Sequence, residues 1–246
     1  MLLRFRVANH RSIRDEHELS LIGTEFNEGT ARETALRSKG RPVTVLPVLG
    51  VFGANASGKS NLLDALRFMK EAVRSSFADW ATSPGVVPRE PFKLDPAYRD
   101  ATSLFEVDLL LGREPVRYTY GFELSDERVE AEWLHAYPHG KRNVWFDREA
   151  GRADEFVFKG SGFKGRRDDL VALTRPNALF LSVGATLNDP QLSAVHRWFL
   201  DNLRLVPPEP TSPPERHGHT ACSPTRNARS TTVTGSSGCC RWRTSA

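Results

Sequence analysis

Cysteine is missing from the first 206 residues of this 246-residue chain. The three cysteines, Cys222, Cys239 and Cys240, all lie in residues 207–246. A long chain segment without cysteine has no disulfide framework, which is typical of proteins from reducing compartments. His217 and His219 lie near Cys222, but no second ligand pair with zinc spacing follows. We therefore expect a cytoplasmic protein without a zinc site.

Long hydrophobic runs are missing as well. No stretch of about 18 apolar residues occurs, so the sequence predicts no membrane-spanning helix. The first 13 residues alternate apolar and charged side chains and contain no signal-peptide core. We expect no membrane partner.

A large excess of one charge is absent from residues 1–206. The chain has 34 basic and 30 acidic residues, and residues 207–246 hold five Arg and two Glu, which leaves 34 − 5 = 29 basic and 30 − 2 = 28 acidic residues. A near-neutral body is weak support for a dedicated nucleic-acid binder, although it is compatible with a local basic patch.

Aliphatic residues almost disappear after Val206. Residues 207–246 contain Val233 but no Leu, Ile, Met, Phe, Tyr or Lys, and they are rich in Pro, Thr, Ser and Arg. Such a composition cannot bury a core, so we predict a domain at 1–206 and a disordered tail at 207–246. The abrupt change leads to the hypothesis that the tail is an out-of-frame reading of GC-rich coding DNA, or that the gene is truncated.

The apolar patterns of residues 1–206 predict an α/β fold. Residues 3–8 and 16–23 alternate as strands and are expected to pair, whereas residues 25–41 lack a clear period and are predicted to form a loop with a helical turn. Thr44–Gly53 is almost continuously apolar, which predicts a strand buried on both faces. Helical spacing then runs from Lys59 to Ser75 or Ser76.

The second half of the domain reads as an antiparallel meander followed by helices. Three strand-like segments, 102–112, 115–125 and 128–138, are separated by turn residues, and 141–151 and 153–160 add two more. Residues 168–175 and 190–206 have helical patterns, and 177–186 is predicted as a short strand or buried turn. Residues 78–100 are rich in Pro and are predicted to be irregular.

One motif carries chemistry. Residues 53–60 fit G-x-x-x-x-G-K-[ST], the phosphate-binding Walker A loop, at every fixed position. The loop consists of Gly53, Ala54, Asn55, Ala56, Ser57, Gly58, Lys59 and Ser60. The glycines let successive backbone N–H groups face phosphate oxygens, and the following helix adds its N-terminal dipole. Lys59 is predicted to contact the β- and γ-phosphates of ATP, and Ser60 to ligate Mg²⁺.

Other polar residues allow two interpretations. Arg11 and Ser12 follow the first strand and either approach the nucleotide or form a solvated turn. Glu130 and Glu132 are interpreted as an exposed strand face rather than a charged site. His135 and His139 are interpreted as surface residues.

The chain also resembles a known group of ATPases. "LLRFRVANHRSIRDEHELSLIG" followed by "VFGANASGKSNLLDALRFM" is similar to the SMC-like and RecF-like subgroup of ABC ATPases. More narrowly, these segments resemble the bacterial AAA-family ATP-binding proteins related to OLD-type nucleases and abortive-infection (phage defence) proteins. "PFKLDP", "YTYGFELSDERVEAEWL", "NALFLSVGA" and "VHRWFLDNL" follow in the family's order. The fold expected from this resemblance is the N-terminal part of an ABC/SMC-like P-loop ATPase head.

The resemblance implies an ATPase that closes as a head-to-head homodimer over ATP and Mg²⁺. Arg11 and Ser12 match the family's "N-x-R-S" segment near the nucleotide, and DNA, a nuclease or a toxin are the partners that it implies. However, no four apolar residues precede Asp-Glu, and no Ser-Gly-rich signature precedes a helix. We therefore expect ATP binding with impaired hydrolysis.

Two alternatives stay open at this point. One is a regulatory or partner-binding module in which the nucleotide acts as a switch and the chain has no ATPase activity. The other, a small-molecule kinase, is disfavoured by the fifty or so residues that precede the loop.

Overall fold

A seven-stranded antiparallel sheet forms the centre of the unit Met1–Val206. The computed structural model describes residues 1–24, 29–38, 40–83, 86–160 and 162–206. The predicted disorder of residues 207–246 lies outside these residues. The strands are β1 (Leu2–Ala8), β2 (His17–Ser20), β3 (Arg32–Ser38), β4 (Arg41–Val45), β5 (Ser103–Leu111), β6 (Val116–Leu124), β7 (Val129–Tyr137), β8 (Asn143–Glu149) and β9 (Phe156–Val157). The helices are α1 (Lys59–Asp79), α2 (Pro96–Asp100), α3 (Arg167–Leu173), α4 (Phe180–Thr186) and α5 (Pro190–Asn202).

The strand order is β2-β1-β5-β6-β7-β8-β9, and every neighbouring pair is antiparallel. The predicted pairing of the first two strands is confirmed, and so is the meander of β5 to β9. Both predictions rested on two-residue alternation and on turn residues, which are signals that act within a few residues. The sheet makes the fold mixed α/β, with antiparallel strands.

Three helices cover one face of this sheet. Helix α1 buries Ala65, Leu66, Met69 and Val73, which recur at helical spacing, against strand residues such as Phe105. Helix α5 adds Leu192, Val195 and Phe199, and Leu203 directly after it is also buried. The buried helix α4 packs between α1 and α5. None of the described helices is long and apolar enough to cross a membrane.

Charged residues cover the other face of the sheet. Arg4 pairs with Asp108 at 3.0 Å and with Glu106 at 3.1 Å, and Arg6 pairs with Glu106 at 2.9 Å. Arg117 reaches the same Asp108 at 2.8 Å, and the indole of Trp133 donates to Glu106 at 3.0 Å. Since Asp108 is 1% exposed, these partners satisfy a carboxylate that burial alone would destabilise.

The predicted buried strand Thr44–Gly53 is wrong. Strand β4 ends at Val45, and the following apolar residues are exposed: Val48 is 79% exposed and Phe52 is 93% exposed. A strand of this kind is buried only when strands flank it and helices cover it. Within the described residues, no strand pairs with residues 48–52. This apolar run therefore lacks the flanking strands that would bury it.

Two other predicted elements are corrected. Residues 32–45 form the β3–β4 hairpin instead of a loop with a helical turn, and residues 25–28 and 39 lie outside the described part. The segment 177–186 forms α4 rather than a strand or turn. Residues 180–184 of α4 are all buried, and α1, α3 and α5 contact this helix. It therefore lacks the solvent-facing stripe that gives an amphipathic helix its apolar periodicity.

The buried carboxylate of Glu132 corrects the interpretation of an exposed strand face. Glu132 is 0% exposed. It accepts hydrogen bonds from the backbone amides of Phe180 (2.6 Å) and Leu181 (3.0 Å) and from the hydroxyl of Tyr120 (3.0 Å). Burial raises the pKa of Glu132, while nearby Arg148 and the two amides act in the opposite direction. Glu132 thus connects the start of α4 to the middle of the sheet.

His135, also expected at the surface, is 8% exposed and contacts Asp147 at 2.6 Å.

We predict that Glu132→Gln destabilises the fold although it preserves the side-chain volume. The new amide group can accept from one backbone N–H, but its own N–H groups face the remaining donors. The expected loss is about 1–3 kcal/mol of unfolding free energy, from buried groups left without partners. Urea unfolding followed by circular dichroism measures it. Glu130→Gln on the same strand is the control, because Glu130 is only half-buried. Equal, small effects of both substitutions would contradict this role.

Candidate phosphate-binding site

The loop Gly53–Ser60 leads into α1, whose first two residues are Lys59 and Ser60. A Cβ on Gly53 would lie 2.8 Å from Ser57 Oγ, so a side chain there would force the Ser57 hydroxyl to move. Gly58 has φ +88° and caps the first turn of α1, where its carbonyl accepts from the amide of Asn61 at 2.9 Å. Ala56 also has a positive φ of 63°. These torsions curl the chain into an exposed loop at the helix N-terminus.

Lys59 folds back over this loop. Its Nζ donates to the carbonyls of Gly53 (2.9 Å) and Ala54 (2.6 Å) and approaches Ser57 Oγ at 3.4 Å. The ammonium group therefore lies over the concave side of the loop, bound only to neutral oxygens. A phosphate oxygen is a stronger partner for a cation than a carbonyl, since it carries charge. The loop, the helix N-terminus and Lys59 fit a phosphate group.

Arg11 and Ser12 lie next to α1 in the structure. The Ser12 hydroxyl accepts from Asn61 Nδ2 at 2.6 Å and would lie 2.9 Å from a Cβ on Gly58. Arg11 adopts φ +51° and forms ion pairs with Asp64 (3.0 Å) and Glu90 (2.9 Å). The turn that holds both residues is closed by hydrogen bonds between the backbones of His10 and Ile13. The structure thus places a well-ordered turn against the phosphate loop, and the role of the two side chains remains a prediction.

Asp64 is a residue of this neighbourhood that the sequence did not single out. Its carboxylate lies 3.1 Å from His10 Nε2, within hydrogen-bond distance, and forms ion pairs with Arg67 and Arg11. Burial acts to raise the pKa of Asp64, but the hydrogen bonds from Arg67 and His10 outweigh it and the pKa is lowered. Burial lowers the pKa of His10, so a neutral ring that donates Nε2–H fits this contact. Asp64 could have been found from the sequence, because it lies four residues after Ser60 on the predicted helix and so on the same helix face.

Asn9 fixes the segment that faces the Arg11 turn. It is 2% exposed, with φ +53°, and its side chain donates to the carbonyls of Tyr98 (2.7 Å) and Ala101 (2.9 Å) while accepting from the amide of Phe92 (2.8 Å). The segment 90–94 is thereby fixed beside the Arg11 turn. Between them is an open cavity of about 410 Å³, lined by Arg11, Ser12, Glu90, Pro91, Phe92, Lys93 and Leu94.

These features together define a P-loop nucleotide-binding domain. A family model described as "AAA domain, putative AbiEii toxin, Type IV TA system" matches residues 48–221. The match covers more than half of the chain, so the protein belongs to this family of AAA domains. The match begins five residues before Gly53, which leaves β1 to β4 outside it, and it ends beyond Val206. No curated protein matches the chain.

We predict that Gly58→Ala costs more stability than the same change at Gly151. Both glycines have positive φ, +88° and +78°, so alanine suffers a similar backbone penalty at each, about 1 kcal/mol or more. Only at position 58 does the new Cβ reach Ser12 Oγ and disturb its hydrogen bond with Asn61, whereas nothing lies within 4 Å of Gly151. The extra loss should be about 1 kcal/mol. Urea unfolding of the two variants measures it, and indistinguishable midpoints would contradict the contact.

Proposed function

We propose that the chain binds ATP together with Mg²⁺ at Gly53–Ser60. Lys59 would contact the β- and γ-phosphates, and the Ser60 hydroxyl would serve as the protein ligand of Mg²⁺. The observation that carries the proposal is the position of Lys59 Nζ over a glycine-closed loop at the start of a 21-residue helix. Family membership supports it, because AAA domains are P-loop nucleotide-binding domains. The metal would neutralise phosphate charge when bound.

The nucleoside half of ATP would occupy the cavity beside Ser12. Its volume of about 410 Å³ lies within the range of small-molecule sites. Phe92 and the 88%-exposed Leu94 supply apolar surface for a base. The cavity wall is fixed in advance by Asn9, which lowers the ordering cost of binding.

Hydrolysis by this chain is proposed to be slow. The carboxylates that the structure places near the loop, Asp64 and Glu90, both form ion pairs with Arg11. A carboxylate held in this way is a poor choice for polarising an attacking water, since its oxygens are already neutralised. The sequence offers no apolar stretch that ends in Asp-Glu and no signature motif. Closure as a head-to-head homodimer, and DNA, nuclease or toxin partners, remain proposals that rest on the SMC-like and OLD-related resemblance.

A second candidate is a nucleotide-dependent regulatory or partner-binding module without ATPase activity. The exposed apolar run before the loop favours it, with Val48, Leu49, Val51 and Phe52 between 39% and 93% exposed. Contiguous apolar surface of this kind marks interaction sites in many proteins. In this candidate the same loop binds ATP, but the readout is partner binding rather than turnover.

We predict that Lys59→Ala removes ATP binding without unfolding the protein. Lys59 contacts only loop oxygens, so its loss should leave the unfolding midpoint unchanged, while the affinity for ATP–Mg²⁺ falls at least about tenfold because a charged phosphate contact is lost. Isothermal titration calorimetry measures the affinity. The exposed Lys159→Ala is the matched control. If Lys59→Ala binds ATP like the control, the proposed site is wrong.

We predict that the isolated chain hydrolyses ATP at a background rate. Phosphoryl transfer is accelerated by groups that position the attacking water and the metal and by a group from a partner, and the sequence has no apolar stretch ending in Asp-Glu and no signature motif to supply them. Phosphate release is measured with wild-type and Lys59→Ala protein side by side, and thermal unfolding with and without ATP is measured on the same samples. ATP-dependent stabilisation without turnover agrees with impaired hydrolysis. Rapid turnover that Lys59→Ala abolishes would overturn both the slow-hydrolysis proposal and the second candidate.

A further inference from the structure

A cleft lies between the β3–β4 hairpin and one end of the large sheet. It has a volume of about 700 Å³ and is lined by residues 35–37 of β3, by the β5–β6 turn at 113–116 and by residues 137–140 after β7. A second cavity of about 290 Å³ shares Leu36, Arg37, Tyr137 and Gly140 with it. The two cavities therefore form one continuous cleft, and none of the residues of the phosphate-binding site lines it.

The walls of the cleft are apolar and its rim is basic. Leu36, Val116 and Pro138 are half-buried in the wall, whereas Arg37 and Arg113 are exposed at the rim. Neither arginine forms an ion pair within the described residues, unlike Arg4, Arg6 and Arg117 on the sheet face. Glu114 is the acidic residue that lines the same cleft. The rim thus offers two cations with free hydrogen-bonding capacity.

Strand β3 is an edge strand at this cleft. Its one strand partner among the described residues is β4. The other edge of β4 is covered, because Gly23 donates to Thr44 and Leu46 donates to Leu21. Since residues 35–37 line the cleft, an extended chain lying there would meet backbone groups of β3 that have no strand partner. Strand addition to such an edge is a general mode of peptide binding.

We propose that this cleft binds an extended peptide segment of a partner protein that alternates acidic and apolar side chains. The peptide adds as a strand to the edge of β3, its apolar side chains contact Leu36 and Val116, and its carboxylates pair with Arg37 and Arg113. Alternation follows from strand geometry, since successive side chains point to opposite faces. The partner chemistry follows from charge complementarity with the unpaired arginines.

The same cleft is poorly suited to a nucleic acid. Binding of single strands relies on aromatic rings that stack with bases, together with a basic groove. Besides His139, the ring in this cleft is that of Tyr137, and the guanidinium of Arg117 already lies over the Tyr137 ring at 4.8 Å from the centroid. The near balance of 29 basic and 28 acidic residues in 1–206 is only weak support for a wider basic stripe.

The test is fluorescence anisotropy with four labelled probes. They are a short peptide that alternates glutamate and valine, its version with lysine in place of glutamate, its version with alternate backbone amides N-methylated along one edge, and a mixed-sequence single-stranded oligonucleotide. The glutamate–valine peptide should bind at least about tenfold more tightly than each of the other three. The N-methylated version probes strand addition directly, because it keeps the side chains and removes backbone donors.

The matched protein variants reverse two charges each. Arg37→Glu with Arg113→Glu should weaken the glutamate–valine peptide at least about tenfold and strengthen the lysine version. Lys159→Glu with Lys164→Glu makes the same change in net charge at exposed positions outside the cleft and should have no effect. Circular dichroism and urea unfolding confirm that both variants fold. Equal binding of the acidic and basic peptides, unchanged binding of the N-methylated peptide, tighter binding of the oligonucleotide, or no binding of any probe would each overturn the proposal.

Discussion

The carboxylate of Asp64 joins the phosphate loop to the sheet. Asp64 lies one turn beyond Ser60 on α1, and it contacts His10 at 3.1 Å and Arg11 at 3.0 Å, both directly after β1. The ring of His10 packs against Phe68 of α1 and Phe105 of β5, at centroid distances of 5.7 and 5.4 Å, and these two rings also contact each other. These polar contacts, next to an apolar cluster, fix the start of α1 relative to the strands. They thereby also fix the direction of the loop amides. Removing one partner from such a set leaves a poorly solvated charge, so its members act together.

Elements with strong local patterns could be predicted from the sequence, whereas elements defined by their neighbours could not. Strand β1, the β5–β9 meander and α1 follow from periods of two and of 3.6 residues. Thr44–Gly53 has the composition of a central strand, but burial of a strand depends on flanking strands, and a run of apolar letters does not contain that information. Likewise, the β3–β4 hairpin is mostly polar and half-exposed, so its alternation is weak, and pairing between its strands decides its structure.

The same distinction applies to the candidate site. The eight residues of the loop are contiguous, so a spacing rule finds them, and Asn61 follows directly. Arg11, Asp64 and Glu90 come from distant parts of the chain and meet only after folding, so no spacing rule joins them. The sequence pattern is misleading at Glu132. This residue alternates with apolar residues like a solvent-facing strand residue, yet α4 places two backbone amides against it. A buried carboxylate of this kind is recognised only through the donors that surround it.

Charge pairing separates the structural charges of this protein from those available to ligands. Arg4, Arg6 and Arg117 form ion pairs with Glu106 and Asp108 on the sheet face, and Arg4 and Arg6 also pair with Glu18 and Glu16. These charges therefore support the fold and leave little field outside it. Lys59 contacts only neutral oxygens, and Arg37 and Arg113 have no ion pair among the described residues. These unpaired cations lie in two places that β1 separates. Leu3 borders the cleft, while the turn after Ala8 contacts α1, about 17 Å away along an extended strand. Coupling through the protein between ligands at the two places would pass along β1 and the helices packed on it. A net charge near zero thus conceals two separate cationic sites, because it sums charges that the fold has paired with charges that it has left free.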